Sequence, residues 1–430
     1  MLASVLFVFR GPLRANSNEV NDFAAPYASA RLWLQGQNPY DANLFFPTWR
    51  AAGAPKGEVP YNESGTHSVY PPPSLVVILP LALLPWPVAS LTLVWMSAAV
   101  YVIAVVLLAS FVGSSWRDVG KPLFVAFGFA FAPVQSALHV TNLACLSASL
   151  MFLAIYLLAK RLPASNRPQV LAAVFLALSI CLKAALGLLL VPYLLWARAW
   201  RALAATVLIV GVATAVSLYP SLRSGSAWFD SLRFNSSVAF DNSGSSDIAE
   251  TNLNRFDSID LQIPIYSMTH HRKMTTAIGC LIGGGLLVLW FLCKDPDRSL
   301  DQHLLRMGSL FAIGLLPVYQ RYYMAVLLLV PLIWALRNLE LRAARWVIAC
   351  CAVFLVNTEV LLQRIGLIRA IMVHHPHVAN ILAGPHLCWL LLGLACLLVH
   401  TLRDFGEAAV PARGYPTGYS MDAKYSKQIL

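Results

Sequence analysis

Eleven apolar runs decide what this chain can fold into. They cover roughly residues 74–112, 122–138, 143–159, 169–182, 184–197, 202–219, 274–293, 304–318, 322–336, 346–361 and 386–402. A helix that crosses a bilayer needs about 20 predominantly apolar residues. Several runs reach that length and others come close. The first is long and carries Pro80, Pro85 and Pro87, so a kink or a short re-entrant piece is expected there. The opening fragment, Met1 to Phe9, is too short to span alone. It reads as the end of a first helix, which leaves room for a start site further upstream.

Composition agrees. Charged residues are 12% and hydrophobic residues 58% of the 430, and mean hydropathy is +0.65. A soluble domain is about a quarter charged. Half that density cannot cover a water-facing surface of this size, which argues against a soluble, a disordered or a nucleic-acid-binding protein. The net charge of +11 then reads as cytoplasmic-loop charge. The eight cysteines (Cys145, Cys181, Cys280, Cys293, Cys350, Cys351, Cys388 and Cys396) lie in or at the ends of apolar runs without a CxxC. They read as small core hydrophobes.

The connections fall into two alternating sets. One is short and basic: Arg117 and Lys121; Lys160, Arg161 and Arg167; Arg198 and Arg201; Lys294, Arg298 and Arg306; Arg337, Arg342 and Arg345; and the tail with Arg403, Arg413, Lys424 and Lys427. The other comprises 10–73, 139–142, a break at Lys183, 220–273, 319–321 and 362–385. The first set holds 17 Lys/Arg against 8 Asp/Glu; the second, over a much longer chain, holds 14 against 12 when Glu359 at the end of the run before 362–385 is counted with it. The positive-inside rule places the first set in the cytoplasm. The alternation closes with about 11–12 transmembrane helices and both termini inside. The expected fold is therefore an all-α polytopic membrane protein, one domain over residues 1–430, with a cytoplasmic tail at 403–430.

Two outer connections, 10–73 and 220–273, exceed 50 residues each, and loops of that length are usually functional. The first contains an amphipathic stretch from Phe23 to Leu34, expected as a helix lying along the outer membrane surface. The second is rich in Ser and Asn (Asp241-Asn242-Ser243-Gly244-Ser245-Ser246) and is expected to be partly mobile. No internal repeat is visible, which weighs against repeat-built transporters.

Candidate chemistry gathers in the outer set. Asn21-Asp22-Phe23 precedes the surface helix, so Asp22 suits an N-cap or a general base. Gly36-Gln37-Asn38-Pro39-Tyr40-Asp41 is a turn that ends the helix. Val69-Tyr70-Pro71-Pro72-Pro73 makes a stiff extended lead into the next helix and fixes Tyr70 near the outer surface. Lys183 sits between two apolar runs, where a charge normally has a partner or snorkels to the interface. Arg321 lies among Tyr319, Tyr322 and Tyr323, as a phosphate partner or an anchor in an aromatic belt. His374-His375-Pro376-His377 reads as a solvated loop before it reads as a metal site, and His270-His271-Arg272-Lys273 as a headgroup contact. Gly279 to Gly285 carries a small-residue spacing that suits close helix packing. Phosphate-loop, dinucleotide and nucleophile-elbow motifs are missing.

In their order, Asp22-Phe23 with Tyr27, Gly36-x-x-Pro39-Tyr40-Asp41, Tyr70-Pro71-Pro72-Pro73 and Pro80-Leu81-Ala82-Leu83-Leu84-Pro85 resemble glycosyltransferase family 87. Leu182-Lys183 with Gly187 to Leu195, and Pro317 to Tyr323, extend the likeness over roughly residues 20–340. The resemblance implies a GT-C-type bundle with two long extracytoplasmic loops. It implies a hexosyltransferase, mannosyltransferase-like, that takes sugar from a polyprenyl phosphate at the outer face of the plasma membrane, with inversion. The acceptor is a lipid or a glycan, the other partners are membrane lipids, and neither a metal nor another cofactor is expected. The resemblance makes Asp22 the base. It makes Lys183 and Arg321 the cations for the donor phosphate, with Tyr40, Tyr70, Tyr322, His139 and Asn142 along the donor site. The chain departs from the family pattern at Thr141, Ala184, Gln320 and Met324. Two other classes stay open on the sequence: a lipid or sugar flippase, and a GT-C-like scaffold that binds lipid-linked sugar without catalysis.

Overall fold

A computed structural model describes the chain except residues 16–20, 56–67, 114–118, 161–165, 225–226, 241–245, 253, 294–298, 359–360, 363–364 and 409–430. Most of the Ser/Asn-rich stretch and of the tail, and Arg117, Arg161, Lys294 and Arg298 among the basic residues, therefore lie outside the described residues.

The described residues are helical, without a strand. In chain order the helices are α1 (Leu2–Arg10), α2 (Ala24–Leu34), α3 (Ala42–Ala51), α4 (Pro72–Ala82), α5 (Trp86–Ala109), α6 (Gly120–Ala130), α7 (Ala132–His139), α8 (Leu143–Lys160) and α9 (Asn166–Leu182). There follow α10 (Ala184–Trp196), α11 (Trp200–Ser224), α12 (Ala227–Phe240), α13 (Gln262–Thr269) and α14 (Arg272–Leu292). The chain ends with α15 (Leu300–Gly314), α16 (Tyr322–Arg337), α17 (Arg342–Val353), α18 (Leu367–His374) and α19 (His386–Ala408). Each apolar run of the sequence contains helix among the described residues, and α1 adds the opening fragment. Six spans among the described residues are long and apolar enough to cross a membrane: Trp86–Ala109, Gly120–His139, Leu143–Lys160, Trp200–Pro220, Arg272–Leu292 and Pro376–Phe405. Four apolar helices are shorter: Pro72–Ala82, Gln169–Leu182, Ala184–Trp196 and Tyr322–Arg337. The protein is a multi-pass membrane protein.

Proline punctuates these helices as its chemistry requires. Pro72 takes the first turn of α4, where a missing N–H costs nothing. Pro85 ends the long first run after α4, and α5 starts at Trp86. The expected kink is a full break between two helices. In the middle of the bundle α8 packs between α5 and α9. The Ser147 and Ser179 hydroxyls meet at 2.9 Å across the α8–α9 contact, the polar link that helices in lipid use in place of a hydrophobic drive. Gly279 and Gly283 of α14 lie flat against Pro317; a Cβ on either would come within 3.0 Å of that proline. The small-residue face thus packs against the turn that carries Arg321.

Two expectations change here. The Phe23–Leu34 stretch is a helix, but Ala24, Pro26, Tyr27, Ala28, Ser29, Ala30 and Leu32 are buried. Rather than presenting an open apolar face, α2 sits under α3 and α4, with Trp49 and Trp86 sealing the cluster. Its apparent amphipathicity underestimated the burial because Ala and Ser read as neutral yet allow close packing. Arg306 is no loop charge. It is fully buried, lies 5.0 Å from the Trp196 ring and 4.9 Å from that of Trp290, and donates to the Cys293 carbonyl at 2.5 Å.

Members of each set of connections meet one another. Asn235 Nδ2 of 220–273 donates to the carbonyls of Tyr40 (3.0 Å) and Ser68 (3.1 Å) in 10–73. Arg255 donates to Asn380 Oδ1 at 2.7 Å, tying 220–273 to 362–385. Among the basic set, Arg337 pairs with Asp301 at 2.5 Å and also donates to the Phe111 carbonyl.

Candidate active site

Asp22 is the residue to build from. It is exposed, and the expected N-cap role falls to other groups. Phe23, not Asp22, precedes α2, and no side chain caps it. Asn21 Oδ1 accepts the Phe23 N–H at 3.1 Å instead. The Asp22 N–H donates to the Val140 carbonyl at 3.1 Å, which docks the long 10–73 connection onto the α7–α8 turn. Thr141 in that turn has φ 53°, the left-handed region in which a threonine costs about 1 kcal/mol or more. The kink aims Asn142 back at the loop.

Asn142 is 3% exposed and all its polar atoms are used. Nδ2 donates to Asp22 Oδ2 at 2.6 Å and to the Tyr323 hydroxyl at 3.0 Å. Oδ1 accepts from the Ala144 N–H at 2.8 Å and from Lys183 Nζ at 3.4 Å. A carboxylate only accepts and an ammonium only donates, so these neighbours fix which way the amide points.

Lys183 stands in the break between α9 and α10. Its ammonium lies 5.6 Å from the Tyr70 ring and 5.2 Å from the Tyr323 ring, within cation–π range. Burial pushes its pKa down to about 8; Asp22 opposes this and Arg321 adds to it. Lys183 therefore feels both Asp22 and Arg321, although the three come from different connections. Tyr70 is raised by burial first, then by Asp22 and Tyr319, so its phenol stays protonated at neutral pH. Its carbonyl accepts from the Tyr40 hydroxyl at 2.9 Å, and Tyr40 stacks on Trp228 with ring centroids 6.0 Å apart.

Arg321 pairs with Asp257 at 3.4 Å and donates to the Tyr319 hydroxyl. Burial raises Asp257, and Arg321 opposes the rise.

Four of the sequence candidates, Asp22, Asn142, Lys183 and Tyr70, thus come together directly. Arg321 joins them electrostatically, and Tyr40 stands behind Tyr70. His139 ends α7, half-buried, three residues before Asn142. Tyr322 is a correction: its hydroxyl donates to the Phe354 and Val356 carbonyls at 3.2 Å each, and its ring stacks on Phe354. Tyr323 takes the place it was given. Adjacent residues at a helix start point about 100° apart, and the Tyr-Tyr pair alone does not say which faces the site. Asp257 was also missed; only its contact with Arg321 marks it. Arg272 of the basic quartet pairs with Asp247 at 2.5 Å. Among the described residues no group of three or more His, Cys, Asp or Glu side chains is placed to hold a metal ion.

An exposed carboxylate held by an amide, with one cation behind it and another nearby, is equipped to take a proton and to bind an anion. The model of glycosyltransferase family 87 matches residues 69–317, a stretch that includes Tyr70, Asn142, Lys183 and Asp257 and stops short of Arg321. No curated protein matches the chain. Among solved structures, apo ArnT from Cupriavidus metallidurans is similar at 16% identity and a TM-score of 0.30, over 93% of this chain and 76% of that one.

Proposed function

Because the chain belongs to glycosyltransferase family 87, we propose that it moves a hexose such as mannose from a polyprenyl phosphate to a lipid or glycan acceptor. The reaction takes place at the outer face of the plasma membrane, with inversion at the anomeric carbon. The observation that carries this reading is the linked set Asp22, Asn142 and Lys183, with Arg321 in electrostatic reach.

Lys183 and Arg321 hold the donor phosphate. The acceptor oxygen attacks the anomeric carbon as the bond from that carbon to the phosphate oxygen breaks. The bonding pair leaves with the phosphate, and cations fixed where that charge develops lower the barrier. The acceptor proton passes to Asp22. A phosphate leaving group needs little protonation, so one carboxylate suffices where glycoside hydrolysis uses two. Asn142 donates to Asp22 Oδ2 and leaves Oδ1 for the acceptor hydroxyl.

The test uses the protein in proteoliposomes with undecaprenyl-phosphate [³H]mannose. Asp22→Asn is expected to keep donor binding and to lose transfer by about 10²–10⁴-fold, the usual contribution of a general base. Wild-type-like transfer by this variant would refute the role of Asp22. A wild-type protein that neither binds nor consumes the donor would refute the donor.

A further inference from the structure

The long 220–273 connection reaches the turn that carries Arg321. Residues 258–261 run beside that turn. Ser258 and Arg321 form an antiparallel bridge, the Ile259 N–H donates to the Gln320 carbonyl at 2.8 Å, and the Leu261 N–H donates to the Leu316 carbonyl at 2.9 Å. The Asp260 carboxylate, 0% exposed, completes the pairing. Its Oδ2 accepts the Gln320 N–H at 3.0 Å and its Oδ1 the Gln262 N–H at 2.9 Å. One buried side chain thus binds both backbones, and one of its two donors is the residue immediately before Arg321.

A carboxylate is costly to bury, and this cost shows in its titration: burial pushes Asp260 up to about 6, against the N–H groups of Gln320, Gln262 and Asp260 itself and against Arg321. Asn or Ser would tie a loop without that penalty. The stretch is also pinned from behind. Cys388 of α19 reaches the Ser258 carbonyl at 3.8 Å. Phe256 fills the space over Gly384, where a Cβ would overlap its ring. On the other side Asp257 holds the guanidinium itself.

From this geometry we infer that Asp260 is a positioning residue, which sets Arg321 against the donor phosphate through the backbone of Gln320. The inference rests on the donor reading above. Asp260 does not touch the substrate; it fixes the backbone from which Arg321 projects. Two acceptor oxygens are needed because two N–H groups face it. An Asn in its place turns an N–H donor toward one of them.

The experiment compares wild type, Asp260→Asn, Arg321→Ala and the double variant in nanodiscs, with undecaprenyl phosphate as the probe. Asp260→Asn is expected to weaken binding about 10-fold, the scale of one charge-assisted hydrogen bond. It is also expected to speed amide exchange over residues 317–323. In the Arg321→Ala background the same change is expected to cost nothing further, because a residue acting through Arg321 has nothing left to position. Additive losses would overturn the inference in favour of a purely structural tie, as would unchanged binding with unchanged exchange. Unaltered binding in Arg321→Ala itself would instead overturn the placing of the donor phosphate. Slower exchange in wild type than in Asp260→Asn would still stand in that case as the measure of the clamp.

Discussion

Asn142 Nδ2 lies 2.6 Å from Asp22 Oδ2, a contact between residues 120 apart in sequence. The amide cannot turn over without facing its oxygen to a carboxylate and its N–H groups to an ammonium. Asp22 is thereby held in one orientation by a residue whose own orientation is fixed.

Asn142→Ala is expected to lower turnover about 10–100-fold, the scale of a lost hydrogen bond to a charged group. The loss is smaller than that of Asp22→Asn because the base itself remains. Combining the two is expected to be no worse than Asp22→Asn alone, since residues that act as a unit lose their effects together. Initial rates of labelled-sugar transfer decide this. A double variant far below Asp22→Asn would mean that Asn142 acts independently.

Lys183 gives a pH signature. Its folded pKa is lowered from the ordinary lysine value to about 8, so the ammonium is present below that pH and is lost above it. Affinity for a polyprenyl-phosphate mannose, a diester whose own charge is constant in this range, is expected to be full below about pH 8 and to fall as pH rises through it. Lys183→Arg removes the transition, because guanidinium does not titrate there. Binding isotherms from pH 6.5 to 9.5 check both curves, and a flat wild-type profile would exclude Lys183 as the phosphate partner.

The neighbouring tyrosines are expected to part company. Tyr322→Phe removes a hydroxyl that bonds two carbonyls. It is expected to cost about 1 kcal/mol, seen as a lower melting temperature. Tyr323→Phe removes the hydroxyl that accepts from Asn142 and is expected to reduce turnover several-fold with little change in melting. Thermal shift and transfer assays on the two variants separate the roles; the reverse pattern would assign Tyr322 to the site.

Gly384→Ala places a methyl group into the Phe256 ring. Overpacking of this kind costs about 1–3 kcal/mol. Because Phe256 adjoins Asp257, the variant is expected to weaken donor binding as well as stability. Melting and undecaprenyl-phosphate binding measured together test it, and a variant melting like wild type would show that the ring can move aside.

Much of the fold is legible in the sequence because its driving force is local. Runs such as 143–159 and 202–219 have no alternative to a helix in lipid, where each backbone N–H and C=O must be satisfied within its own segment. The proline that divides α4 from α5 acts on its own backbone and is equally visible. Within the near-neutral connections Asn235 meets Tyr40, and within the basic ones Arg337 meets Asp301. The candidate site was legible at Lys183 and Asn142, where polar residues interrupt apolar sequence, and at Asp22 and Tyr70 through the motifs of the first long connection.

Partner choice was not legible. By itself the sequence determined that the chain lives in a membrane and where its apolar helices fall; the helices inside the long connections, such as Ala42–Ala51 and Ala227–Phe240, it did not show. Only the tertiary structure decided that Asp22 answers to Asn142 rather than to its own helix, that Tyr323 rather than Tyr322 faces Lys183, and that Asp260 holds the backbone beside Arg321. Helix formation is settled by hydrogen bonds four residues apart and by the solvent. These pairings instead join residues 60–181 positions apart, and their geometry exists only once the helices have packed.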